Sequence, residues 1–257
     1  MTARLVFTGL FSLLILSLFA MLVWSISPQW NFPSLVPSEM NASAWAQVAS
    51  GKLGEATLNS FIIAVGVTAI SILVGFPSGR IFAKHQTLSL QALQTLVLFP
   101  TLLPTVMLAI GAQFLFAKLN LSGTMLGVLL SHLIVTLPYS TLISMGIFSN
   151  FNFNYELQAR TLGASAVQAL WFVTGRALAA GALSVALFSF LISWSQFALT
   201  IQIGAGRVQT LPMLVFAYIN GGNMQFAAAS TAMLILPTLL ILIVSHRTMQ
   251  TIQSWQA

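Results

Sequence analysis

The stretch "YELQARTLGASAVQALWFVTGR", residues 155–176, does not read as membrane-bound. It holds Glu156, Arg160 and Arg176 in a chain of 257 residues that is 58% hydrophobic and only 5% charged. Soluble domains carry about a quarter charged residues. This chain cannot cover its surface with charge, so lipid must cover much of it. A polar, helix-like island in such a chain needs a reason.

Working outward from the island, apolar segments long enough to cross a bilayer (about 20 residues) lie near 5–26, 58–83, 91–117, 124–148, 177–199 and 226–245. The first follows Arg4 and lacks a clear small-x-small cleavage site, so it reads as an uncleaved span rather than a signal peptide. With the N-terminus in the cytoplasm, Arg4, Arg80, Lys84, Arg160, Arg176 and Arg247 fall inside, and Lys52, Lys118 and Arg207 outside. The excess inside favours cytoplasmic N- and C-termini and puts the island in the cytoplasm. Pro77, Pro100, Pro104, Pro138 and Pro237 lie within spans and predict local kinks. The net charge of +6 is spread along the chain, which argues against nucleic acid as a partner. The chain has no Cys, so disulfides and thiolate metal sites are excluded.

The island's own chemistry predicts two short helices and a turn. Asn154 is a candidate cap for the first helix, and Glu156 sits in its first turn, where the helix dipole favours an acid. Gly163 ends or breaks that helix. Ser165 with Gln168 makes a Ser-x-x-Gln capping box that starts the second. The product is a protruding helix–turn–helix knob.

On these residues the island resembles the cytoplasmic "EAA" loop of ABC importer permeases. "LQARTLGAS" (157–165) covers the core, and Ala159, Leu162, Gly163, Ala164 and Ser165 match the family's common form. The likeness continues through "LFPTLLPTVMLAIG" (98–111), "ALFSFLISWSQFALT" (186–200), "TLPMLVFAYINGG" (210–222) and "AAASTAMLILPTLLILI" (227–243). It covers most of residues 58–245 and points to the polyamine, ferric iron, thiamine and sulfate-like branch. The chain departs from the pattern in three places. Leu157 stands where the motif has its acid, with Glu156 one residue early. Gln158 replaces an Ala, and Gly175-Arg176 replaces the closing Leu-Pro.

The resemblance implies an all-α transmembrane fold of about six spans, with the type I, MetI-like permease architecture. It implies a chain divided into a first span and external loop (1–57), a permease core (58–245) with the coupling loop at 149–176, and a short cytoplasmic tail (246–257). It implies a non-catalytic subunit of the bacterial inner membrane that forms the path for a small solute. Its partners would be ABC ATPase subunits, a second permease of a different chain, an external solute-binding protein and membrane lipid. Glu156, Ala159, Arg160, Leu162, Gly163, Ala164 and Ser165 would form the loop that inserts into the ATPase.

Other candidate sites are few. The chain has no GxxxxGK[ST] motor motif, no HExxH and no acidic cluster suited to a metal, so no cofactor is expected in it. His132 lies inside the fourth span, where an ionisable group is a functional candidate; a neutral imidazole bonded across helices is the blander alternative. Ser193, Ser195 and Gln196 either line a translocation path with His132 or bond neighbouring helices. Two other classes compete with the importer. A secondary transporter needs intramembrane acids, whereas Glu39, Glu55 and Glu156 all fall in loops or at span edges. A structural membrane subunit would lack any dependence on an ATPase.

Overall fold

The computed structural model describes residues 2–28, 30, 33–47, 51–85 and 87–254, and every regular element among them is helical. In chain order these are α1 (Thr2–Ser25), α2 (Ser43–Ala46), α3 (Lys52–Lys84), α4 (Leu88–Leu98), α5 (Thr105–Lys118), α6 (Met125–Ser149), α7 (Asn154–Thr161), α8 (Ala166–Ala177), α9 (Ala179–Trp194), α10 (Ala198–Gly204), α11 (Leu211–Asn220) and α12 (Met224–Ser254). Among the described residues four helices are long and apolar enough to cross a membrane, or six if the bent pairs α4–α5 and α8–α9 each count as one span. The chain divides into two compact units, 1–60 with 209–239 and 61–208 with 240–257. Residues 209–239 fall in the same unit as residues 1–60.

In the first unit, α1 is apolar on all sides and most of its spanning stretch is exposed, as expected of a helix facing lipid. Its hydroxyls at Ser12 and Ser17 return to the preceding turn, donating to Gly9 O and Leu14 O, so neither is left bare in hydrocarbon. Asn41, Ser43 and Gln225 lock the segment before α3 to α12: Gln225 Nε2 donates to Asn41 Oδ1 at 3.0 Å and Ser43 Oγ to the same oxygen at 2.7 Å. Ser60 Oγ accepts the Leu211 N–H at 2.8 Å, joining α3 to the start of α11.

The second unit is built around α6. Thr124 caps it, its Oγ1 accepting from Gly127 N at 3.0 Å. Along its buried face Ser131, Thr136, Ser140 and Ser144 all bond back to carbonyls one turn earlier, which makes their hydroxyls compatible with a dry setting. Small residues bring α3 against this face. A Cβ on Gly75 would lie 2.0 Å from Ser140 Oγ, and one on Gly79 would lie 2.3 Å from Ser144 Cβ. Hydrogen is the only side chain that fits at those two positions, the small-xxx-small packing of membrane helices. Between Ser71 and Gly75 the helix widens into a π-turn, just before Pro77. A wide turn accommodates a proline that has no N–H to give and whose ring would press on the preceding turn.

Two expected spans are not continuous helices. The segment 91–117 bends by 109° between α4 and α5, through a 3-10 turn at Phe99–Leu102. Pro100 and Pro104 account for it. Leu103 is extended (φ −99°, ψ 141°), as a residue before proline must be, and Pro104 then opens α5. The segment 177–199 bends by 71° at Leu178, between α8 and α9. Its helix then closes at Trp194, where Ser195 N bonds Leu191 O and Gln196 N bonds Ser193 O.

Candidate functional site

The island forms the helix–turn–helix that its sequence predicts, with one change at its start. Asn154 does not cap α7. Asn152 does so instead, its Oδ1 accepting from Asn154 N at 3.0 Å, and Phe153 occupies the cap position with no side-chain bond. Phe153 belongs to a ring cluster with Phe148, Phe151 and, beyond Phe148, Phe76. That cluster fixes the base of the loop on the ends of α3 and α6.

Gly163 ends α7 with φ +94°, a left-handed conformation that costs a residue with a Cβ about 1 kcal/mol or more. Ala164 N bonds Ala159 O at 3.0 Å and Gly163 N bonds Arg160 O at 3.1 Å. That pair of bonds is a Schellman motif, and it gives Ala159 and Ala164 a physical role: both flank the closed turn half-buried. The capping box follows at once. Ser165 Oγ accepts from Gln168 N at 3.2 Å and Gln168 Oε1 from Ser165 N at 2.8 Å. Both turn ends are thus internally satisfied, and the knob keeps its shape without a partner.

Its outer surface carries large apolar side chains. Leu162 is 89% exposed, Val167 74% and Trp171 75%, with Leu157 more than half exposed. Arg160 lies exposed beside them. Glu156 points the other way and is only 8% exposed. Arg80 Nη2, from the end of α3, donates to both carboxylate oxygens at 3.0 and 2.7 Å, and Thr174 Oγ1, from α8, donates to Oε1. The Arg80 guanidinium also sits 5.8 Å from the Phe153 ring centre and Lys84 Nζ 5.2 Å from it. Within a helix Glu156 should have paired with Arg160 four residues on; the buried partner is Arg80 instead. Sequence reasoning missed Arg80 and Thr174. A chain so poor in acids implies that a buried Glu has a cation, yet several cations near span ends fit that requirement equally.

The second group of candidates divides in two. His132, 2% exposed on α6, has Nδ1 2.9 Å from Ser193 Oγ and Nε2 2.9 Å from Thr200 Oγ1. Thr200 Oγ1 gives its own proton to Gln196 O at 3.1 Å, so it accepts from the imidazole. The network therefore places a proton on Nε2, with Ser193 Oγ bonded at Nδ1. Ser193 is equally buried, and Thr200 is a third member that the sequence did not single out. Gln196 enters this network through its main-chain carbonyl, and Ser195 stands apart from it. Ser195 is exposed, its Oγ bonded only to Leu191 O at 2.8 Å, and Gln196 is half-buried.

Residues 71–255 match the family model described as the binding-protein-dependent transport system inner membrane component. Among similar proteins, the molybdenum transport system permease protein ModB of Mycobacterium tuberculosis is 27% identical over 219 residues, 79% of this chain and 83% of that protein. The putative 2-aminoethylphosphonate transport system permease protein PhnV of Salmonella typhimurium is 26% identical over 235 residues, 90% of this chain and 88% of that protein. The fold resembles a chain in the crystal structure of a bacterial ABC transporter that imports alginate, with a TM-score of 0.71, 18% identity and coverage of 95% of this chain and 94% of that one.

Proposed function

The chain belongs to the family of binding-protein-dependent transport system inner membrane components, and from that premise we propose how its parts work. It is a multi-pass membrane protein and the permease subunit of an ATP-driven ABC importer, serving an external binding protein. ATP hydrolysis takes place on a separate chain. The loop 154–168 is the piece of this chain that the ATPase grips. The observation that carries this reading is the knob itself: a self-capped turn whose tip presents Leu162 and Val167 to water while its acid is turned inward. Burying two such side chains recovers about 1.5–3 kcal/mol each, enough to anchor a partner.

The distribution of charge supports the orientation. α6 runs from a turn where Gly123 N bonds Ile203 O, near Arg207, to the end where Arg80, Lys84 and the loop meet. Arg80, Lys84, Arg160 and Arg176 thus gather at the loop's end, which we assign to the cytoplasm with both termini. Ser195 and Gln196 we place on the solute path, because they are open or half-open at the end of α9. His132 and Ser193 stand behind them as a cross-helix bond, since each has its partners within this chain. The chain has no Cys, so single thiols test these assignments. Asn220→Cys should label from outside with an impermeant reagent, and Ala164→Cys only from the cytoplasmic side. Ser195→Cys should change reactivity when ATP and vanadate trap the complex. Reversed labelling of the first two overturns the orientation, and a Ser195 thiol blind to ATP removes it from the path.

Leu157 in place of the motif's acid, and Gly175-Arg176 in place of its closing Leu-Pro, support a complex with two different permeases. One standard loop on the second permease would tolerate this altered one. Intact-mass measurement of the purified complex should find this chain once, beside a related permease and the ATPase subunits. In that complex Gly163→Val should insert normally but lose ATP hydrolysis stimulated by the loaded binding protein. Open space surrounds Gly163, so the substitution acts through the backbone of the turn alone. Normal stimulation would mean that the loop is not the coupling element, and two copies of this chain would refute the asymmetric pairing.

A further inference from the structure

We propose that Arg80 and Thr174 are positioning residues for coupling: with Glu156 they form a clasp that makes the loop move together with both α3 and α8. The inference rests on the reading of residues 154–168 as the coupling loop. α7 has only eight residues, too few to hold its place as an isolated helix, so side-chain ties must fix it. The clasp is the strongest of those ties. It joins three elements at one carboxylate: Glu156 on α7, Arg80 at the end of the α3 span and Thr174 on α8. Its charge-assisted bonds lie in a site where Glu156 is 8% exposed, so water competes poorly for them.

The surroundings favour transmission over static anchoring. Each gripped helix carries a π-turn next to the clasp. One, Ser71–Gly75, ends five residues before Arg80, and the other, Ala169–Thr174, ends on Thr174 itself. π-turns are the lax points of a helix and concentrate at functional positions. Beyond Thr174 the chain bends by 71° at Leu178, so a push on α8 meets a joint there. An apolar cavity of about 310 Å³, walled by Phe76, Ile81, Phe148, Leu170 and Trp171 with Arg80 and Thr174 on its edge, leaves room for the clasped parts to shift. A loop tied this way drags the second span with it, whereas a loop held only by its chain ends swings freely.

The test uses the reconstituted complex in lipid bilayers, with single spin labels and ATP plus vanadate as the only probe. One label goes at Ala164→Cys on the loop. The other goes at Leu73→Cys on α3, 74% exposed and able to take a label without repacking. In the otherwise unaltered chain both spectra should change on trapping. With Arg80→Gln the loop label should still respond while the Leu73 response falls at least fivefold. The exchange Arg80→Glu with Glu156→Arg should restore it to within twofold. Thr174→Val, which keeps shape and charge, should give a smaller loss in the same direction and serves if Arg80→Gln fails to assemble. An undiminished Leu73 response in Arg80→Gln and Thr174→Val overturns the clasp and leaves the loop's role standing. A loop label that never responds in the unaltered chain overturns the coupling reading itself.

Discussion

Two polar clusters in the second unit do similar work under different rules. Around Glu156 an ion pair and a hydroxyl tie together three elements at the rim of the unit, and the Arg80 side chain keeps 27% of its surface open. Around His132 the bonds are to hydroxyls only, and all three members are sealed, none more than 4% exposed. Charge survives at the rim because the Arg80 side chain is still partly open. In the depth of a span the same pair would bear a desolvation cost of several kcal/mol per ion (about that much after relaxation). A neutral ring between two hydroxyls avoids it. The clusters also differ in what remains when a member is lost. Thr200 has a carbonyl to fall back on, while a carboxylate deprived of its cation has only Thr174 and the helix dipole.

That contrast fixes the order of two expected losses. Arg80→Leu should cost the most, about 2–3 kcal/mol after allowance for the open part of the pair, because it strands a buried carboxylate. His132→Leu should cost about 1 kcal/mol, since it removes two neutral hydrogen bonds of the kind that contribute little between membrane helices. Denaturant titration of the purified chain in detergent reads both. Equal losses would erase the distinction, and a larger loss at His132 would reverse it.

The legibility of the molecule follows from how local each cause is. The capping box at Ser165 and Gln168, the turn at Gly163 and the acid in the first turn of α7 are written within a few residues of one another, and each is found in place. The break at Pro100 and Pro104 was legible as a kink, but its size was not. Two prolines with an extended Leu103 between them add to 109°, which no single proline implies. Asn154 and Asn152 offer the same capping side chain two residues apart, and only the backbone path selects Asn152. Arg80 and Thr174 lay beyond the reach of sequence. They are 76 and 18 residues from Glu156 along the chain, and nothing local distinguishes Arg80 from any other cation at a span end. Likewise, the small residues Gly75 and Gly79 could be counted in the sequence, but their opposite numbers Ser140 and Ser144 could not.

The bare apolar tip at Leu162 and Val167 has a thermodynamic consequence. A grip that rests on such side chains draws its strength from water released on contact rather than from charge. Ionic strength then screens little of it, and the buried area gives the association a negative heat capacity change. Cooling weakens a grip of this kind, because the release of water from apolar surface drives contact less strongly in the cold. The rim pair at Arg80 and Glu156 obeys the opposite logic, so one short loop meets its two neighbours through forces with different responses to salt and temperature.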